Sequence, residues 1–129
     1  MPDVLQSPRT HACDFIISEG AGHISRENVT IAASQTIVPG TLLYASAPGV
    51  YSAVSNTPPS PGTAVAIAMY GVVTEVGEVT TKIAAIVRDA EVNGHQLVWP
   101  EGTVTADQTL FAALLAAQHV IMRGLQTLA

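Results

Sequence analysis

The apolar positions of this chain fall in short β-branched runs as far as residue 99, and take up a helical spacing only near the C-terminus. Residues 1–14 (MPDVLQSPRTHACD) contain two prolines and no sustained period, which reads as a flexible N-terminal arm. From Phe15 the character changes. Phe15-Ile16-Ile17-Ser18 is a compact apolar run, residues 28–33 are rich in β-branched side chains, and both suit strands. Three Pro-Gly dipeptides follow, at 39–40, 48–49 and 61–62. Proline presets φ for one turn position and glycine accepts the positive φ of the next, so each dipeptide predicts a reversal between strands. Residues 41–45 and 50–54 flank the second reversal, and residues 55–62 (SNTPPSPG) form a Pro-rich exposed loop. Residues 64–74 and 80–88 predict two central strands joined by a turn at Glu75, Gly77 and Glu78. Residues 95–99 predict a further strand, ended by Pro100.

The spacing then switches. Thr105-Ala106-Asp107-Gln108 has the form of a capping box, in which the threonine hydroxyl takes one orphan N–H and the glutamine reaches back to another. Asp107 suits the positive end of a helix dipole. A helix is expected over residues 106–118, with Leu110, Phe111, Leu114 and Leu115 on one face. Ala112, Ala113, Ala116 and Ala117 occupy much of the remainder. Such small residues permit close approach, so the helix is expected to be covered on both sides. Residues 119–123 return to β-branched character and are expected to close the sheet. The predicted fold is α+β and predominantly β. It comprises a small antiparallel β-sandwich or barrel-like domain over residues 15–129, with one C-terminal helix and the arm over residues 1–14.

Composition adds one constraint. The chain is 48% apolar and 12% charged, whereas soluble domains average about 25% charged residues. A surface so short of charge is expected to be covered in part by a partner or by copies of the same chain. The net charge of −5 and five scattered basic residues argue against nucleic acid, because duplex binding commonly neutralises about 6–10 phosphates. The most apolar windows, 64–73 and 110–122, are shorter than the roughly 20 residues of a membrane span. No secretory signal pattern opens the sequence. Cys13 is the single cysteine and excludes a disulfide within the chain.

Candidate chemistry changes little. His23 and Glu27 would share a helix face, but Gly20, Gly22 and the β-branched run argue for a strand, where they lie about 13 Å apart. His11, His95 and His119 have no metal-ligand spacing. Serines abound without a Gly-x-Ser-x-Gly elbow. Asp14 disfavours the thiolate of Cys13. Gly20-Ala21-Gly22 lacks the remainder of a phosphate loop. Trp99, followed by Pro100, reads as a packing anchor at a strand end or as a partner contact. No catalytic residue, metal ligand or cofactor is expected.

Residues 24–32 (ISRENVTIA), 86–93 (IVRDAEVN) and 97–102 (LVWPEG), with 39–43 (PGTLL) and the Ala-rich closing helix in the same order, resemble the head decoration proteins of tailed bacteriophages, the lambda-type family. The resemblance runs from Phe15 to Arg123. It implies a homotrimer that sits at threefold positions on the outer surface of the expanded capsid, contacts the major capsid protein, and cements the head against packaged DNA. The implied localisation is the virion, with host cytoplasm during assembly, and no cofactor, catalysis, direct nucleic-acid contact or membrane contact. The capsid-binding arm would include Pro2, Asp3, Val4, Leu5, Gln6, Ser7, Pro8 and Arg9. Arg26 and Glu27 are expected as a polar pair on a turn or strand edge. Together with Trp99, Ala113 and Ala116 they are candidate subunit or coat contacts. A β-rich oligomeric tail or adhesin module, and a small hydrolase, are the competing readings.

Overall fold

The computed structural model describes residues 15–20, 24–55, 59–60, 62–75, 82–100, 103 and 105–123. The strands in chain order are β1 (Ile16–Glu19), β2 (Arg26–Ile31), β3 (Thr36–Ile37), β4 (Leu42–Ala47) and β5 (Val50–Ala53). Then come β6 (Val65–Ala68), β7 (Val72–Val73), β8 (Lys82–Ile86), β9 (Ala90–Asn93), the helix α1 (Thr105–Ala116) and β10 (Val120–Arg123). Five strands close a barrel in the order β2-β5-β4-β6-β8. A three-stranded sheet, β1-β9-β10, and a two-stranded ribbon, β3-β7, complete the architecture.

Strand alternation builds two apolar layers on one wall. Leu43, Ala66, Ala68, Ile83 and Ala85 pack with Val29 and Ile31 in the barrel interior. Alanine at three of these positions leaves room for the four larger side chains, a small-and-large mixture that fits a narrow barrel. The intervening residues Leu42, Val65, Ile67 and Ile86 face outward and pack with Phe15, Val92, Phe111, Leu115 and Val120. α1 and the three-stranded sheet therefore cover the outside of the β4-β6-β8 wall. β6 is buried along both faces, which is why its sequence is continuously apolar rather than alternating.

The expected barrel-like, β-rich domain is present, but it is not purely antiparallel. β2 pairs β5 in parallel and β10 pairs β9 in parallel. In the second case α1 carries the chain back to the same end, and such a crossover makes neighbouring strands parallel. β10 thereby extends the small sheet. The strand expected over 64–74 is broken at Met69–Gly71, where the chain leaves the barrel to pair with β3. A Cβ on Gly71 would lie 3.1 Å from the Ile37 carbonyl oxygen, so glycine permits that approach. Gly77 and Glu78 of the expected turn lie outside the described residues.

Among the described residues, Pro48-Gly49 turns a hairpin, between β4 and β5. Pro39-Gly40 moves the chain from the ribbon into the barrel. Gly62 has positive φ, while Pro61 lies outside the described residues. The strand expected over 95–99 does not form. Gly94–Gln96 makes one 3-10 turn, and Val98 forms only an isolated parallel bridge with Thr41. The Trp99 indole N–H donates to the Gly94 carbonyl at 3.0 Å, closing this segment into a loop.

α1 matches its expected position, but two local expectations fail. Leu110 is 53% exposed, because the buried stripe is centred on Gln108, Phe111 and Leu115. Nor does Gln108 complete a capping box. Its side chain is fully buried, and neither amide atom has a hydrogen-bond partner. Gln108→Leu is expected to raise the unfolding free energy by about 1–3 kcal/mol, since it removes an uncompensated desolvation cost and continues the apolar stripe. Urea denaturation at fixed protein concentration checks this. A lowered midpoint would show that the amide is satisfied in solution.

Candidate interaction surface

Three ion pairs gather on one side of the fold. Consecutive residues on a strand point to opposite faces, so Arg26 and Glu27 do not pair with each other as expected. Arg26 instead reaches Glu19 on β1, with Nε donating to Oε1 at 2.9 Å and Nη2 to Oε2 at 2.6 Å. Glu27 accepts from Arg88 Nη2 at 2.9 Å, and Arg88 Nη1 donates to the Ile24 carbonyl. Arg123 on β10 meets Glu91 on β9 at 3.3 Å. These three pairs tie β1, β2, β9, β10 and the β8–β9 turn together, and leave Arg26 and Glu27 engaged within the chain.

A shallow polar recess lies beside them, lined by Glu27, Tyr51, Arg88, Gln118 and His119. Burial, and then the Glu27 carboxylate, hold the Tyr51 phenol above its ordinary range, so it is neutral and no nucleophile at physiological pH. Gln118 is occupied structurally. Its Oε1 accepts from Val65 N, and its Nε2 donates to the carbonyls of Val65 and Val87. Among the described residues no group of three or more His, Cys, Asp or Glu side chains could hold a metal. No described helix is long and apolar enough to cross a membrane.

The Arg26 hydrogen bonds hold the Glu19 carboxyl below its ordinary value of 4.5, against the opposing effect of partial burial. A depressed folded-state value means that the pair stabilises the fold fully above the ordinary value. That contribution is lost as pH falls through the lowered one. Arg26 is 36% exposed, and exposed pairs contribute less than about 1 kcal/mol. Glu19→Gln is therefore expected to flatten the acid limb of the stability–pH profile slightly. Melting curves from neutral to acid pH check this, and an unchanged limb would show that the pair contributes nothing.

Apolar side chains are also exposed on α1, on the β3-β7 ribbon and on the loops between them, with Asp107 and Glu75 as their charged neighbours. Ala113, Ala116 and Ala117 are exposed on α1, and Leu110 stands beside them. A groove of about 390 Å³ runs between this helix face and Pro59, Ser60 and Gly62. A second groove, lined by Tyr44, Ala53, Val54 and Ser55, shares Pro59 with the first. A third shares Ala53 and Val54 with the second and continues past Trp99 to Val38 on the edge of the ribbon. No charged side chain lines any of the three among the described residues.

The sequence-derived candidates thus separate. Ala113 lines the first groove and Trp99 the third, while Ala116 is exposed on α1. Trp99 is only half-buried, with its ring edge-on to Phe111 at a centroid distance of 5.9 Å, so it anchors packing while keeping an exposed edge. Arg26 and Glu27 belong to the charged side. Pro2–Arg9, His11, Cys13 and His23 lie outside the described residues. Val38, Tyr70 and Val73 were not singled out by sequence, and Leu110 was placed on the packed face of the helix, yet all four are exposed.

No curated protein matches the chain. A family model described as "Bacteriophage lambda head decoration protein D" matches residues 4–120. That span includes the barrel, the ribbon, α1 and the first residue of β10. With most of its length matched, the chain belongs to the bacteriophage lambda head decoration protein D family.

Proposed function

We propose that this protein is a capsid cement. In this reading it binds as a homotrimer to the outer surface of the expanded phage head at threefold positions, contacts the major capsid protein, and resists the pressure of packaged DNA. Free subunits would assemble in the host cytoplasm and end in the virion. The family match over residues 4–120 carries the reading. The uncharged band of grooves supports it, since large contiguous apolar surfaces on soluble proteins mark contact sites. Residues 1–14, with Pro2–Arg9 at their centre, are assigned to capsid engagement and residues 15–129 to the decoration domain. An extended arm can add a strand to a sheet edge of the coat protein. Ordering it costs about 1–2 kcal/mol per residue, and three arms on one particle offset that through effective concentration.

The test is direct. Expanded, undecorated heads are mixed with the full chain or with a chain starting at Phe15, then imaged. Protrusions at threefold positions with the full chain, and bare shells with the folded shorter chain, are the expected results. Bare shells with both would overturn the cement reading. Equal decoration by both would remove the arm from the contact.

A further inference from the structure

We propose that residues 124–129, which lie outside the described residues, fold back across α1, with Leu128 seated in the groove beside Pro59 and Leu125 resting on the exposed helix face. The lining of the groove sets the chemistry of its occupant. Leu110, Ala113, Leu114 and Ala117 line it from α1 and Pro59 from the loop. Asp107, one turn before Leu110, does not line it. Its volume of about 390 Å³ is ample for an aliphatic side chain, since an apolar cavity of about 150 Å³ already accepts benzene. What fits is an uncharged segment bearing branched aliphatic groups. Gly124-Leu125-Gln126-Thr127-Leu128-Ala129 has two leucines and no charged side chain.

The fold delivers this segment to the groove. β10 runs parallel to β9 and α1 carries the chain between them, so β10 retraces the helix alongside it. The turn between the two is tight, with the His119 N–H donating to the Ala116 carbonyl at 2.9 Å. From Val120 to Arg123 a strand advances about 10 Å. That is roughly seven helical residues back from Ala117, level with Leu110. The helix to be crossed is about 10–12 Å wide with its side chains, and a segment of this length extends to about 20 Å. In an extended chain with three residues per turn, Leu125 and Leu128 lie on one side about 9 Å apart. One leucine then rests on the crossing and the other beyond it. Ala113 and Ala116 are exposed on that crossing, and side chains so small let a second backbone come close.

Other occupants fit less well. The arm over residues 1–14 carries Asp3, Arg9 and Asp14 and joins the domain at β1, which β9 separates from β10. A second copy offers Val73 as an exposed apolar group, but exposed Glu75 stands two residues away. No basic side chain lines the groove among the described residues to receive that carboxylate. A segment of the same chain also acts at high effective concentration, so contacts too weak to hold a free partner suffice to hold it. The family match ends at residue 120, so the tail adds to this chain a feature that the family model does not describe.

The experiment compares NMR spectra of the isotope-labelled full chain with those of a Leu125→Ser/Leu128→Ser variant, whose substitutions lie outside every described strand and helix. Shift changes are expected at Leu110, Ala113, Ala117 and Gly62, with the barrel signals unmoved. In the reciprocal variant Leu110→Asp, at an exposed position, the signals of residues 125–128 are expected to collapse to random-coil values. Random-coil values for those residues in the unaltered chain would overturn the proposal. So would groove signals unmoved by the double serine variant, including the case in which that variant no longer decorates heads, which would give the tail to the coat protein instead. Should either variant not fold, the Ala113→Cys/Leu128→Cys pair in a Cys13→Ser chain replaces it. Oxidation in dilute solution should then give a monomer whose disulfide joins residues 113 and 128 of one chain. Disulfides formed only between chains would give the groove to a second copy, and no disulfide would leave the tail elsewhere; either result overturns the seating.

Discussion

Phe111→Ala is expected to lower the unfolding free energy by about 3–5 kcal/mol, the range for deleting a buried aromatic ring from a core. Phe111 is 2% exposed and lies where α1, the three-stranded sheet and the outer barrel wall converge. Its removal leaves a cavity that no single neighbour can fill, because Leu115, Val92 and Ile67 belong to three separately fixed elements. For a domain whose total stability is about 5–15 kcal/mol, that loss is a large fraction. Part of it belongs to the Trp99 ring, which meets Phe111 at an interplanar angle of 63°. A double-mutant cycle with Trp99→Ala should return a coupling of about 0.5–1.5 kcal/mol. Denaturation must be followed at one protein concentration, since assembly would add concentration-dependent stability. An unchanged midpoint would mean that α1 is not docked on the barrel in solution.

Gln118→Ala should cost about 2–4 kcal/mol, from three hydrogen bonds each contributing about 1 kcal/mol net and from backbone groups left without partners. The side chain follows α1 and joins β6 to the residue after β8, bonding both polar backbone groups of Val65 and the carbonyl of Val87. It is fixed by a tight helix end, in which His119 adopts φ of 65° and donates its N–H to the Ala116 carbonyl. Gln118→Glu keeps the shape but replaces the donor with a carboxylate oxygen facing two carbonyl oxygens. It is therefore expected to be no more stable than the alanine variant at neutral pH. Thermal melts of both variants check this. A wild-type melting temperature for Gln118→Glu would show that the carbonyls are satisfied by solvent.

The segments that could be read from the chain were those whose signal is local. β4 and β5 around Pro48-Gly49 follow from turn chemistry, and α1 follows from its spacing. The apolar composition of β6 follows from burial on both faces, although periodicity alone cannot show which face meets which layer. The missing strand near Trp99 was not legible, because the indole bond to the Gly94 carbonyl and the bridge to Thr41 depend on groups brought together only by folding. The same is true of Arg26. Its neighbour in sequence is Glu27, but a strand turns successive side chains apart, and the partner it finds is Glu19 on a strand of another sheet.

The sequence by itself determined a β-rich domain with a C-terminal helix, a surface poor in charge, and a family resemblance that the match over residues 4–120 supports. These follow from composition and short-range pattern, which need no knowledge of the partners of each strand. Only the tertiary structure decided that the barrel closes through a parallel β2-β5 pair and that β7 leaves it to form a ribbon. It also decided that the ion pairs gather on one side while the grooves join on another. The reason is physical: which residues become neighbours, and which remain uncovered, depends on contacts between segments far apart in the chain, and local propensity carries no record of them.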